Sequence, residues 1–238
     1  KGNGKPDGNG GEQPMEVYAQ TQHFVYNGQP QGTFGTSLAV TTQNPLATAI
    51  ELLPGHRLTN VTLTGTRQTT PGTHGGAIVP TAVRLVNAAG QAVTDKYLLE
   101  ASSYMSGDLI IHKKGNGQPD GNGGELPMDI YAENQKFVYN GQPQGTIGTN
   151  LANTNGTLAR AVELVSGHTL SRISIAGTRQ TNAGEYPGTL VPAGATIVDA
   201  GGRDVTANYL IVPASYHEGD LTITKKGSGP DPENPGEE

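Results

Sequence analysis

The 238 residues carry 15 Lys and Arg against 21 Asp and Glu, giving a formal charge of −6 and a pI near 5.5, so no basic footprint for nucleic acid or anionic lipid is present. With 35 Gly, 16 Pro and no Cys or Trp, the composition removes disulfide, zinc-thiolate and cysteine-nucleophile chemistry and points to a turn-rich β protein. No apolar run approaches bilayer-spanning length, so no membrane insertion is expected of this segment.

Residues 1–36 return almost unchanged from residue 114 onward: Lys1 matches Lys114, Met15 matches Met128, and Phe24-Val-Tyr-Asn-Gly matches Phe137-Val-Tyr-Asn-Gly, an offset of 114 − 1 = 113. After one deletion the offset is 163 − 51 = 112, with Glu51 matching Glu163, and it holds to the end of the second copy. The chain therefore reads as two copies of one module, cut from a longer array. The expected division is a linker over 1–13, a β module over 14–113, a linker over 114–126, a second β module over 127–226 and a C-terminal linker over 227–238.

In chain order, 1–13 and 114–126 are low-complexity Gly, Asn, Asp and Pro, a composition that buries too little apolar area to offset chain entropy and so predicts solvated linkers. The rival reading is calcium, with Asp7, Asn9 and Glu12 and their mates Asp120, Asn122 and Glu125 as oxygen ligands, although calcium loops usually present more carboxylates. Next, the runs from Met15 and from Met128 alternate apolar and polar residues, as half-buried strands do, and stop at Asn27-Gly28 and Asn140-Gly141, which suit tight turns with φ > 0. Residues 46–53 and 158–165 are ambiguous: Leu46, Ile50 and Leu53 fall on one helical face, opened by Asn44-Pro45, yet the segment is short and its end alternates. A strand is favoured; a helix over 46–53 and 158–165 would favour a β-grasp-like module.

The rest reads as strands, with Val61 and Leu63, Ile173 and Ile175, Leu109 and Ile111, and Leu221 and Ile223 facing inward, and with a last hairpin turning at Gly107-Asp108 and Gly219-Asp220. About seven short strands per copy predict an all-β protein of two tandem Ig-like β-sandwich modules.

Candidate chemistry is sparse. His56 and His168 match between copies but have no neighbouring ligand at metal spacing and read as turn residues. Glu51 and Glu163 with Arg67 and Arg179 read as cross-strand pairs, and Asp108 and Asp220 as turn formers. Tyr18, Tyr26, Tyr97 and Tyr104 recur as Tyr131, Tyr139, Tyr209 and Tyr216; a tyrosine row can be a sugar platform, but strands favour aromatics for packing. An intramolecular isopeptide bond would draw on Lys113 or Lys225, Asn27 or Asn140, and Glu51 or Glu163 as the assisting acid, but lysines at a strand end are expected to be solvated. No nucleophile elbow, phosphate loop or zinc-protease motif occurs, so no catalytic residue, metal or cofactor is expected.

The pattern VYNGQPQ, GHTLSRISIAGTRQTNAGEYPG, IVDAGGRDVTANYLI and GDLTITKK resembles the tandem repeats of large Gram-positive surface adhesins and is similar to the MBG or YDG class of β-rich stalk modules. Two departures are Tyr26-Asn27-Gly28, where the family often has Tyr-Asp-Gly, and Gly72-Thr73-His74, where a Tyr is usual. The resemblance implies an extracellular, cell-wall-attached stalk: monomeric spacer repeats, partnered by neighbouring repeats, that project a distal binding region. The alternative is a repeat that binds host glycan or mucin through avidity.

Overall fold

The structure is a computed structural model and describes residues 1–43 and 45–227. It is all-β, and the chain divides into two units. The first is Lys1–Lys113 together with Gly121–Gly124, and the second is the remainder of the described chain. Each unit is built on the same plan.

In the first unit the strands are β1 (Val17–Ala19), β2 (Gln22–Val25), β3 (Gly35–Ala39), β4 (Ala47–Ala49), β5 (Arg57–Thr64), β6 (Gly72–Val86), β7 (Tyr104–Met105) and β8 (Gly107–His112). The second repeats them as β9 (Ile130–Ala132), β10 (Gln135–Val138), β11 (Gly148–Ala152), β12 (Ala159–Ala161), β13 (Thr169–Ala176), β14 (Gly184–Val198), β15 (Tyr216–His217) and β16 (Gly219–Thr224). A three-stranded sheet in the order β4-β1-β7 and a five-stranded sheet in the order β2-β8-β6-β5-β3 make up the first unit, and β12-β9-β15 with β10-β16-β14-β13-β11 the second. Val17, Ala19 and Ala47 of the small sheet pack with Val61, Leu63, Ile78 and Leu109 of the large one. The inward residues expected on β5, β8, β13 and β16 are buried, as strand alternation requires.

The segments 46–53 and 158–165 hold strands. Ala47, Thr48 and Ala49 pair antiparallel with Ala19, Tyr18 and Val17. Glu51 (φ 56°) and Glu163 (φ 61°) then turn into the left-handed region, which no α-helix tolerates within a turn. Asn44, expected to open the first segment, lies outside the described residues.

Two expectations are corrected. The turn at Gly107-Asp108 joins no hairpin: β7 pairs with β1 and β8 with β2, both in parallel, so the chain passes from one sheet to the other at Ser106. The segment β1-β2 makes the same switch alongside it. A Cβ on Gly107 would lie 2.7 Å from the Ala19 carbonyl oxygen, and one on Gly219 2.8 Å from that of Ala132, so the two crossing segments approach too closely for any other residue. The resulting sheets are mixed rather than purely antiparallel.

The second correction concerns 1–13 and 114–126, which are exposed over 4–11 and 117–123 but are tied down at their ends rather than slack. Asn3 N–H donates to Gln13 O at 2.9 Å and Gln13 N–H to Lys5 O at 2.9 Å, while Leu98 N–H donates to Lys1 O at 2.9 Å. In the second unit Asn116 N–H donates to Leu126 O, Leu126 N–H to Gln118 O, and Leu210 N–H to Lys114 O. Gly2 and Asn3 are buried. Apolar area does not hold this segment; hydrogen bonds to its own backbone and to the 96–98 and 208–210 stretches do. Residues 1–13 and, apart from 121–124, residues 114–126 close the unit that follows them. Of the expected C-terminal linker 227–238, residues 228–238 lie outside the described residues.

Candidate functional site

Polar side chains converge where each closing segment meets the small sheet. Glu12 accepts from Gly2 N at 2.6 Å, from Gly4 N at 3.4 Å and from Lys1 Nζ at 3.1 Å. The Lys1 ammonium and then the Gly2 N–H hold its carboxyl below the usual carboxylate range. Glu125 repeats this with Gly115, Gly117 and Lys114, the ion pair closing at 3.0 Å with both side chains 14% exposed. A Cβ on Gly2 or Gly115 would fall within 2 Å of the Gln13 or Leu126 carbonyl oxygen, so only glycine fits at these two positions.

Beside this knot the two units diverge. In the first, Glu16 accepts from Asn3 Nδ2 at 3.0 Å, from Lys5 Nζ at 3.3 Å and from the Tyr18 hydroxyl at 2.5 Å; Tyr18 and then Asn3 lower its pKa, and the same bond raises that of Tyr18. In the second, Asp129 accepts from Asn116 Nδ2 at 3.0 Å and meets His217 Nε2 at 2.8 Å. His217, then Asn116, holds the Asp129 carboxyl below its ordinary value.

The outer face of β12-β9-β15 carries Arg160 opposite Tyr131 and His217 opposite Tyr131. The Tyr131 ring stacks on His217 with centroids 4.4 Å apart, and the Arg160 guanidinium carbon lies 4.6 Å from its centroid, a cation–π contact. Arg160 also pairs with Glu133 at 3.3 Å. The first unit has Thr48, Tyr18 and Met105 in these places.

The expected site residues fall as follows. Asp7 turns its carboxylate onto Asn9 N at 2.7 Å and Gly11 N at 2.9 Å, which hold its pKa down in that order; Glu12 and Glu125 serve Gly N–H groups and lysines, and Asp120 and Asn122 also have partners. Among the described residues no group of three or more His, Cys, Asp or Glu gathers to hold a metal. Lys113, Lys225, Asn27, Asn140, Glu51 and Glu163 are all exposed, and Asn27 and Asn140 cap Gln29 N and Gln142 N at 2.9 Å. They do not come together in the buried setting an isopeptide bond needs.

Arg67 donates to Gly32 O at 3.1 Å, and among the described residues no ion pair joins it to Glu51. Asp108 and Asp220 accept from Gly76 N and Gly188 N at 2.8 and 2.9 Å, holding the irregularity between β6 and β8 and its counterpart. The tyrosines form no row. Tyr97 and Tyr209 are buried, Tyr18 and Tyr139 are exposed, and the Tyr131 ring is engaged by His217 and Arg160. His56 and His168 sit behind turns, with Nδ1 2.8 Å from the Tyr97 and Tyr209 hydroxyls.

The second unit also carries a groove of about 500 Å³, bordered by Asn153, Arg160, Leu164, His168, Leu170 and Ser171. The buried Asn153 amide donates to Ala159 O at 2.8 Å and Leu170 O at 2.9 Å and accepts from Leu158 N at 3.0 Å and Ala159 N at 3.1 Å. All four of its hydrogen-bonding positions are filled. The residues that sequence reasoning missed, Asn3, Asn116, Glu16, Asp129 and Asn153, carry a signal only in the comparison of the two copies: Asn3 and Asn116 match, while Val40 stands where Asn153 does. Compared with known proteins, the chain matches no family model, no curated protein and no solved structure.

Proposed function

We propose that the chain is a pair of non-catalytic structural repeats of an extracellular, cell-wall-attached bacterial surface adhesin, a spacer that holds a distal binding region away from the cell. The observation that carries this reading is the closing segment. Because Lys114, Asn116, Gln118 and Leu126 are bonded within the unit that follows them, only Lys113 lies between the end of β8 at His112 and the first backbone-bonded residue, Lys114. A repeat that absorbs its own linker adds length with each copy and leaves little slack chain between copies. The resemblance to stalk repeats agrees with this use, and the Glu12 and Glu125 carboxylates at the closing segments are engaged in holding them.

Small-angle X-ray scattering with and without calcium tests the reading. Two consecutive units in an extended arrangement give a radius of gyration of about 24 Å, against about 18 Å for one compact body of the same length. The extended value, unchanged by calcium, is expected. The compact value in both conditions would sink the spacer reading, and compaction on adding calcium would return Asp7 and Asp120 to the role of cation ligands.

A further inference from the structure

The first unit holds a histidine pair that the second replaces with Lys136 and Thr224. On the parallel strands β2 and β8, Val25 lies opposite His112 and His23 opposite Ile110. Leu109 and Ile111 face the core, so His23 and His112 share the outward face, one step apart along the ladder. His23 is exposed, His112 is half-buried, and β2 is the edge of its sheet. The rings are stacked at 5.3 Å with planes 20° apart, and His23 Nδ1 stands 3.0 Å from His112 Nε2.

That approach requires one nitrogen to donate and the other to accept, since two N–H groups cannot point at each other. The same separation suits chelation. Two imidazole nitrogens bound at about 2.0–2.1 Å in adjacent positions of a square plane or a tetrahedron stand about 2.9–3.4 Å apart. When a cation enters, the shared proton moves to the far nitrogen of its own ring, and both near nitrogens present lone pairs with no net proton change.

We propose that His23 and His112 form a two-point site for a divalent transition metal, with water completing the coordination. Imidazole nitrogen favours Cu²⁺ most strongly among the first-row divalent ions and favours Zn²⁺ less; calcium, an oxygen-seeking ion, has no affinity for it. The second unit supplies the natural control, because it keeps the same strands with Thr224 in place of His112.

Calorimetric titration of the whole chain with Cu²⁺ in a non-coordinating buffer tests the site, with ¹⁵N NMR locating the broadened signals. The expected result is one tight Cu²⁺ per chain, broadening centred on His23 and His112, and a loss of affinity of about tenfold or more in His112→Thr, since two linked ligands exceed one by at least that factor. The reverse graft, Lys136→His with Thr224→His, is expected to raise the tight stoichiometry to two. Equal Cu²⁺ affinity in the parent and His112→Thr, or broadening centred on His56, His74, His168 or His217, overturns the proposal.

Discussion

Two side-chain arrangements tie separate parts of a unit together. In Val205-Thr206-Ala-Asn-Tyr209, Thr206 Oγ1 accepts from Ile197 N at 2.8 Å while the Tyr209 hydroxyl accepts from Val165 N at 3.1 Å and meets His168. Thr94 and Tyr97 do the same for Leu85 and Leu53. The motif therefore ties a 3₁₀ turn to the long strand and to the turn before β13. Tyr209→Phe keeps the ring but removes the acceptor of a partly buried N–H, so it is expected to destabilise the second unit by about 1–3 kcal/mol in urea unfolding. The His217–Asp129 contact adds a pH dependence. The folded Asp129 pKa is depressed, so its contribution is present above the ordinary carboxylate range near pH 4 and is lost as pH falls through the lower folded value. His217→Met, the residue found at Met105, removes the largest cause. It is expected to raise the Asp129 pKa in an NMR titration and to move acid unfolding of the second unit to higher pH; an unmoved Asp129 titration would refute the pairing.

Between elements, the weak seam is the open side of the sandwich, where β12 is an edge of the small sheet and faces β13 of the large one. Asn153 closes it by binding both backbone polar groups of Ala159 and the Leu170 carbonyl, so the Ala159 position on the free edge of β12 is occupied. Edge strands left open invite pairing with another chain. Asn153→Val, which installs the residue found at Val40, is expected to cost the second unit about 2–4 kcal/mol because it leaves several buried backbone groups unpaired. The check is urea unfolding followed by signals of the second unit, and a cost under about 0.5 kcal/mol would mean that the seam is held otherwise. Strand identity at 46–53 was half legible: alternation at Ile50-Glu51-Leu52 competed with a helical face, and pairing with β1 together with the left-handed Glu51 decided it.

For each unit as a whole, the closing segment is where composition misleads most. Residues 1–15 and 114–128 differ only at Lys5/Gln118 and Gln13/Leu126, a fidelity no slack linker requires, and that was the signal available. Met15, fully buried against Leu85 and Tyr97, anchors its end. A version of the first unit beginning at Pro14 loses the Lys1–Leu98 and Asn3–Glu16 bonds, so its melting temperature is expected to fall by about 5 °C or more, as a loss of about 1 kcal/mol does at this size. An unchanged melting temperature would restore the linker reading.

From the sequence alone came the duplication, the all-β class and the inward faces of β5, β8, β13 and β16, because these depend on local alternation and on turn residues whose backbone needs are local. Only the tertiary structure decided that β1-β2 and β7-β8 cross between sheets side by side, that Gly-rich segments close their units, and that His23 meets His112. Each of these rests on atoms brought within about 3 Å of one another from distant parts of the chain, and no pattern of neighbouring residues encodes such a pairing.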